Sequence, residues 1–161
     1  FLRFNFNVGV NKPSSIVHSS GVNSNFLICS QWPSPLFILF IIGNVKKAVI
    51  IGSGDIIQDI IDDFICKLQL KPEYGIKLRN HFEAKFGGKM DDYSAYKAAE
   101  KTEVPVFVIH DKDDDDVSVK AAYNIQKHLK QSEIMITEGL GHRKILGDEN
   151  VIQKVKEFIS K

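Results

Sequence analysis

Two clusters of side chains in this chain could do chemistry. One is His142, in the stretch Glu138-Gly-Leu-Gly-His-Arg143, with Gly139 and Gly141 beside it. The other is the acidic run His110-Asp-Lys-Asp-Asp-Asp-Asp116. An imidazole is the side chain best suited to take and return a proton near neutrality. A carboxylate within reach can hold that imidazole in one tautomer and stabilise its protonated form. An acid and a histidine are two of the three parts of an acid–His–nucleophile device. The other histidines, His81, His110 and His128, read as surface or supporting residues, and His110 closes a strand beside the acidic run.

These groups need a scaffold that delivers them to one place. Residues 134–137 and 104–109 are short apolar runs that read as buried strands. Each empties directly into one of the two clusters. In an open parallel sheet, ligands bind at the carboxyl ends of the strands. Residues 46–51 form a third such run and end in Gly52-Ser-Gly-Asp55, where Asp55 is placed to cap the following helix. Helical periodicity follows at Ile56, Ile57, Ile60, Ile61, Phe64, Ile65 and Leu68. Pro72 opens a second helix that carries Ile76, Leu78, Phe82 and Phe86 and stops at Gly87-Gly88. A third, short helix runs over 91–99. Helices over 119–129 and 150–159 complete the pattern, the last with Val151, Ile152, Val155, Phe158 and Ile159 on one face. Strands alternating with helices predict a parallel sheet with right-handed crossovers. A single crossover needs one helix, yet three separate the strands at 46–51 and 104–109. The surplus is expected to cover the sheet's end, with Ile56, Phe64, Tyr93 and Tyr96 as candidate lining.

Residues 1–44 read differently. They are rich in Asn, Ser, Phe and Pro, carry few charges, and have Pro13, Pro33 and Pro35 to interrupt any long helix. This predicts two regions, an irregular segment over 1–44 and a regular one over 45–161. Across the 161 residues the net charge is +1, which gives no electrostatic case for nucleic acid or an anionic membrane. Residues 36–42 are apolar but far short of the roughly 20 needed to span a bilayer. No leader pattern is read at Phe1. The two cysteines, Cys29 and Cys66, have no metal or redox spacing, so a reducing cytoplasmic setting is expected. Asp111, Asp113 and Asp115 have the spacing of a calcium loop. Asp116 replaces its required glycine and Ala122 its twelfth ligand, so no metal is expected.

With strand, acid loop, helix, strand, histidine loop and helix in that order, residues 45–161 resemble the C-terminal half of an α/β-hydrolase. Residues 14–22 resemble it more weakly. The resemblance implies an incomplete parallel sheet with helices on both faces and a small helical cap over about 55–100. The family's acid follows its strand in a pattern like His-Gly-x-x-Asp. With Asp111 at the glycine position, the acid falls on Asp114, and Asp113 is the second candidate. His142 would be the general base and acid. The family's nucleophile sits in Gly-x-Ser-x-Gly on a strand-to-helix turn. The matching stretch is Ser15-Ile-Val-His-Ser-Ser-Gly21, which makes Ser19 the nucleophile and the backbone N–H of Ser20 one oxyanion donor. Val17 replaces the first glycine, and the second oxyanion donor has no counterpart. The implied function is Ser-Asp-His hydrolysis of a small-molecule ester or related acyl substrate, without cofactor, in a shortened and weak or inactive form. The shortened sheet implies an exposed edge through which copies could pair.

Two other readings of the same residues lead elsewhere. Ala48-Val-Ile-Ile-Gly-Ser-Gly-Asp55 is half a dinucleotide-binding fingerprint, with Gly52 and Gly54 in place, Ile57 at the third glycine, and no acidic residue closing a second strand. A non-catalytic binding or structural module that keeps the half-fold is the remaining expectation.

Overall fold

The computed structural model describes the backbone of residues 16–17 and 26–30 and the whole of residues 45–161. Its elements in chain order are β1 (Ile16–Val17), β2 (Phe26–Ser30), β3 (Lys47–Ile51), α1 (Ile57–Lys67), α2 (Glu73–Phe86), a 3-10 turn (Met90–Tyr93) and α3 (Ala95–Glu100). They continue as β4 (Val106–Asp111), α4 (Lys120–His128), β5 (Ser132–Thr137), α5 (Gly141–Lys144), a second 3-10 turn (Ile145–Gly147) and α6 (Glu149–Ser160). The strands lie side by side in the order β1-β2-β3-β4-β5. β2 to β5 are parallel, and β1 runs antiparallel to β2. Strand β2 has no counterpart in the sequence reading. Ser19 and Ser20 lie outside the described residues.

The central strands β3 and β4 are apolar along almost their whole length because both sides of the sheet are covered. Alternate residues go to opposite faces. Ala48, Ile50, Val106 and Val108 pack with Ala95, Ala99, Ala122 and Ile125 from α3 and α4. Val49, Ile51, Phe107 and Ile109 pack with Ile145 and with Val151, Val155 and Phe158 of α6. Asp148 starts α6 by accepting the Val151 N–H at 3.0 Å. The helical stretch between β3 and β4 has its own small core of Ile57, Ile61, Ile65 and Met90. Among the described residues no helix is long and apolar enough to cross a membrane.

Several sequence expectations need correction. Asp55 does not cap α1; Ile56 holds that position with no side-chain bond. The Asp55 carboxylate turns instead to the start of α3, accepting the Tyr96 N–H at 2.8 Å and the Asn124 amide. The helix expected over 91–99 splits at Ser94, whose extended backbone separates the 3-10 turn from α3. Ile76, Leu78 and Phe86 of α2 are exposed, and so is Ile152 of α6. Apolar spacing alone could not tell a covered face from an open one. Strand β4 begins two residues later than expected and runs on through His110 and Asp111.

Candidate active site

Strands β4 and β5 are paired in parallel, with Asp111 opposite Thr137 at their carboxyl ends. Both loops therefore leave the same edge of the sheet. The acid loop turns tightly. Asp114 Oδ1 accepts the backbone N–H groups of Asp116 and Val117, each at 2.8 Å. A short polar side chain that folds back on its own loop in this way fixes its own orientation. The second oxygen, Oδ2, is then aimed at His142, 2.7 Å from Nδ1. The Asp114 side chain is 1% exposed and the His142 side chain 13%.

His142 stands at the second position of α5. The two glycines before it have left-handed backbone, φ 78° at Gly139 and 61° at Gly141, which L side chains adopt only at a cost. A carboxylate can only accept, so Nδ1 carries the proton, and in the neutral ring Nε2 keeps its lone pair. Among the described residues nothing bonds Nε2. The ring lines a cleft of about 680 Å3, which Ile56 and, from α1, Ile60 and Phe64 also line. A neutral imidazole with a free Nε2 beside a partly apolar cleft can take a proton from a hydroxyl or water.

The strand end adds two groups that the sequence reading left in supporting roles or missed. His110 is buried, with Nε2 2.9 Å from the Val117 carbonyl and 3.4 Å from Asp114 Oδ2. The Val117 carbonyl can only accept, so the proton sits on His110 Nε2 and points to that carbonyl. Asp111 is fully buried. Burial alone would raise its pKa. The Thr137 hydroxyl and the N–H groups of Gly141, Leu140 and Asp113 outweigh this and hold it below the ordinary value. The signal for it was in the sequence, as an acid where the hydrolase pattern has glycine. Asp113, the second acid candidate, is exposed and accepts the Gly139 N–H at 2.9 Å. Asp114 is the carboxylate that meets the imidazole.

Gly52, at the end of β3, lies against this pair. Its φ is +61°, and a Cβ there would be 3.4 Å from both Cε1 and Nδ1 of His142 and 3.9 Å from Asp114 Oδ2. The space beside this glycine, which a dinucleotide fingerprint would give to a pyrophosphate, is taken by the imidazole. Tyr93 and Tyr96, expected to line the cleft, bond elsewhere. The Tyr93 hydroxyl donates to the carbonyls of Phe86 and Gly87, and that of Tyr96 to Asp91. His128 bonds the Asn124 carbonyl and His81 is exposed. Burial raises the pKa of Asp55, which lines the cleft, against the bonds from Asn124 and Tyr96 that lower it. Among the described residues no group of three or more His, Cys, Asp or Glu side chains is placed to hold a metal ion.

No profile of a known protein family matches the chain, and no characterised sequence matches it. Solved structures do. An α/β hydrolase enzyme from the metagenome of lagoon sediments at Mar Chica, Morocco, superposes with a TM-score of 0.57 at 16% identity, covering 84% of this chain and 60% of its own. The esterase RhEst1 from Rhodococcus sp. ECU1013 gives 0.57 at 16%, covering 84% of this chain and 65% of its own. The esterase Pf2001 of Pyrococcus furiosus gives 0.56 at 14%, covering 78% and 48%. The chain thus spans less than two thirds of the length of these proteins. Identities this low speak for the fold alone. The parallel sheet, the helices on both of its faces and these superpositions show that the chain has the α/β-hydrolase fold, with the sheet incomplete.

Proposed function

We propose that the protein is a serine hydrolase acting on a small-molecule ester or related acyl substrate, with Asp114 and His142 as its acid–base pair and Ser19 as the nucleophile. The observation that carries this reading is the 2.7 Å bond from His142 Nδ1 to the buried Asp114 carboxylate at the ends of adjacent parallel strands. Esterases among the structural neighbours support the same chemistry.

In the reaction, His142 Nε2 takes the hydroxyl proton as Ser19 Oγ attacks the ester carbonyl carbon. The carbonyl π electrons move onto oxygen, and the Ser20 N–H steadies the resulting oxyanion. Asp114 stabilises the imidazolium without itself taking the proton. When the tetrahedral intermediate collapses, the bond to the leaving alkoxide breaks and Nε2–H protonates it. Water then repeats the sequence on the acyl-serine, releasing acid and free serine. Residues 55–100 act as the cap, with Ile56 and, from α1, Ile60 and Phe64 offering an apolar wall to the acyl chain. Strand β5, at the edge of the described sheet, is where a second copy would add.

Hydrolysis of p-nitrophenyl esters and labelling by a fluorophosphonate tests the proposal. Both are expected in the wild type and lost in Ser19→Ala and His142→Gln. Activity that survives Ser19→Ala removes Ser19 from the mechanism. A folded protein that neither hydrolyses esters nor labels is a non-catalytic module.

A further inference from the structure

Asp111 is the last residue of β4, and its side chain is among the most deeply buried of the described residues, at 0% exposure. A buried carboxylate needs donors on both oxygens. Here the donors come from two different loops. Oδ1 accepts the Asp113 N–H at 3.0 Å, one residue before the acid. Oδ2 accepts the Thr137 hydroxyl at 2.7 Å and the Leu140 N–H at 3.1 Å, two residues before the histidine. The two loops also touch directly, since Asp113 Oδ2 accepts the Gly139 N–H at 2.9 Å.

From this geometry we propose that Asp111 is a positioning residue, whose carboxylate clamps the acid loop and the histidine loop into one unit and so sets the Asp114–His142 contact. The glycine of the hydrolase pattern could make none of these bonds. Charge-assisted hydrogen bonds are shorter and stronger than neutral ones, so a single ionised carboxylate can fix both loops. The Asp111 carboxylate acts on residues adjacent to the pair in sequence and bonds neither the Asp114 carboxylate nor the His142 ring; the Asp111 backbone carbonyl separately accepts the Asp114 N–H at 3.3 Å. The depressed pKa of Asp111 agrees with a carboxylate kept ionised by its donors. Its role in turnover rests on the hydrolase reading; its role in holding the pair does not.

The test compares Asp111→Ala, Asp111→Asn and Thr137→Val with wild type. The main readout is the low-field proton NMR signal of His142 Nδ1–H, assigned by its loss in His142→Gln. The second is kcat and KM on a p-nitrophenyl ester. In the wild type the Nδ1 proton is expected to exchange slowly. In Asp111→Ala it is expected to broaden or vanish in protein that is still folded by circular dichroism. kcat should fall at least 30-fold with KM within threefold. Asp111→Asn, which keeps one acceptor oxygen, should recover part of both. A merely structural role would lower the melting temperature and leave the proton signal of folded protein unchanged, and that result overturns the proposal. Should the alanine variant not fold, Thr137→Val removes one donor and keeps the carboxylate. Faster exchange of the His142 proton in that variant supports the clamp, and unchanged exchange overturns it. If wild type hydrolyses no ester while the signal responds to Asp111, the clamp stands and the hydrolase reading falls. If esters are hydrolysed and neither readout responds, the clamp falls alone.

Discussion

Replacing Gly52 by alanine should disturb the Asp114–His142 pair from behind. The backbone at Gly52 is left-handed, with φ +61°. Holding an L residue there costs roughly 1–2 kcal/mol. The added methyl would also meet the imidazole at 3.4 Å, on both Cε1 and Nδ1, the tight edge of van der Waals contact. His142 has little room to yield, since Asp114 holds it at 2.7 Å and Asp114 is itself tied to two N–H groups. For a chain of this size, 1 kcal/mol moves the melting temperature by about 2–4 °C, so a loss of about 2–8 °C is expected. A reacting group displaced by even a fraction of an ångström loses rate, and about 10- to 100-fold in kcat is expected. Gly54→Ala is the control. Its φ is not positive, and its Cβ would meet one side chain only, Ile60, with Cδ1 at 2.8 Å and Cγ1 at 3.2 Å, and that half-buried side chain can turn away. That variant should melt within about 2 °C of wild type, because alanine also narrows the unfolded ensemble. Melting curves and ester kinetics on the two variants decide the matter. Equal melting temperatures and equal kcat for Gly52→Ala and wild type would refute the seating of the pair on this glycine.

Asp114→Asn keeps an oxygen for the Asp116 and Val117 N–H groups and puts an amide where the imidazole needs an acceptor. The variant is expected to fold and to lose about 10,000-fold in kcat, read in the same ester assay. Asp111 and Asp55 should tilt the pH dependence of stability in opposite directions. The folded pKa of Asp111 lies below its ordinary 3.8, so its contribution is present above that value and lost as pH falls through the folded one. The folded pKa of Asp55 lies above 3.8, so its contribution is present below that value and lost as pH rises through the folded one. Urea midpoints measured from pH 3 upward should therefore show Asp111→Asn flattening the acid limb. Asp55→Asn, with the Asn124 amide flipped to accept, should remove a decline on the rising side. Asp148→Ala removes the acceptor for Val151 N–H at 3.0 Å and should cost about 1 kcal/mol, read as a lower urea midpoint with unchanged kinetics.

How much of this was legible in the sequence follows from the range of each interaction. The runs at 46–51 and 104–109 were readable because a strand buried on both faces must be apolar almost throughout; the run at 134–137 stood out as apolar too, but β5 lies at the edge of the described sheet and its residues are only half-buried. The loop positions of Asp114 and His142 followed from where those runs stop. The exposure of Ile76 and Leu78 was not readable. Helical spacing marks apolar positions but not what lies opposite them, and α2 leaves these residues uncovered. Asp55 looked like a cap because a cap is local. Its actual donors, Tyr96 and Asn124, are 41 and 69 residues away, and only the tertiary fold brings them near. Asp111 shows the same limit more sharply. In sequence it is one of several aspartates in a run, and each could be a solvated charge. Its register against Thr137 separates it from its neighbours by turning it inward, where a carboxylate can persist only if donors are supplied. Pairing of β4 with β5 supplies the Thr137 hydroxyl, and the glycine-rich turn after β5 presents the Leu140 N–H. The acid and the base are thus brought together by a third group that does not touch either side chain. Its importance is invisible until the two strands are set side by side.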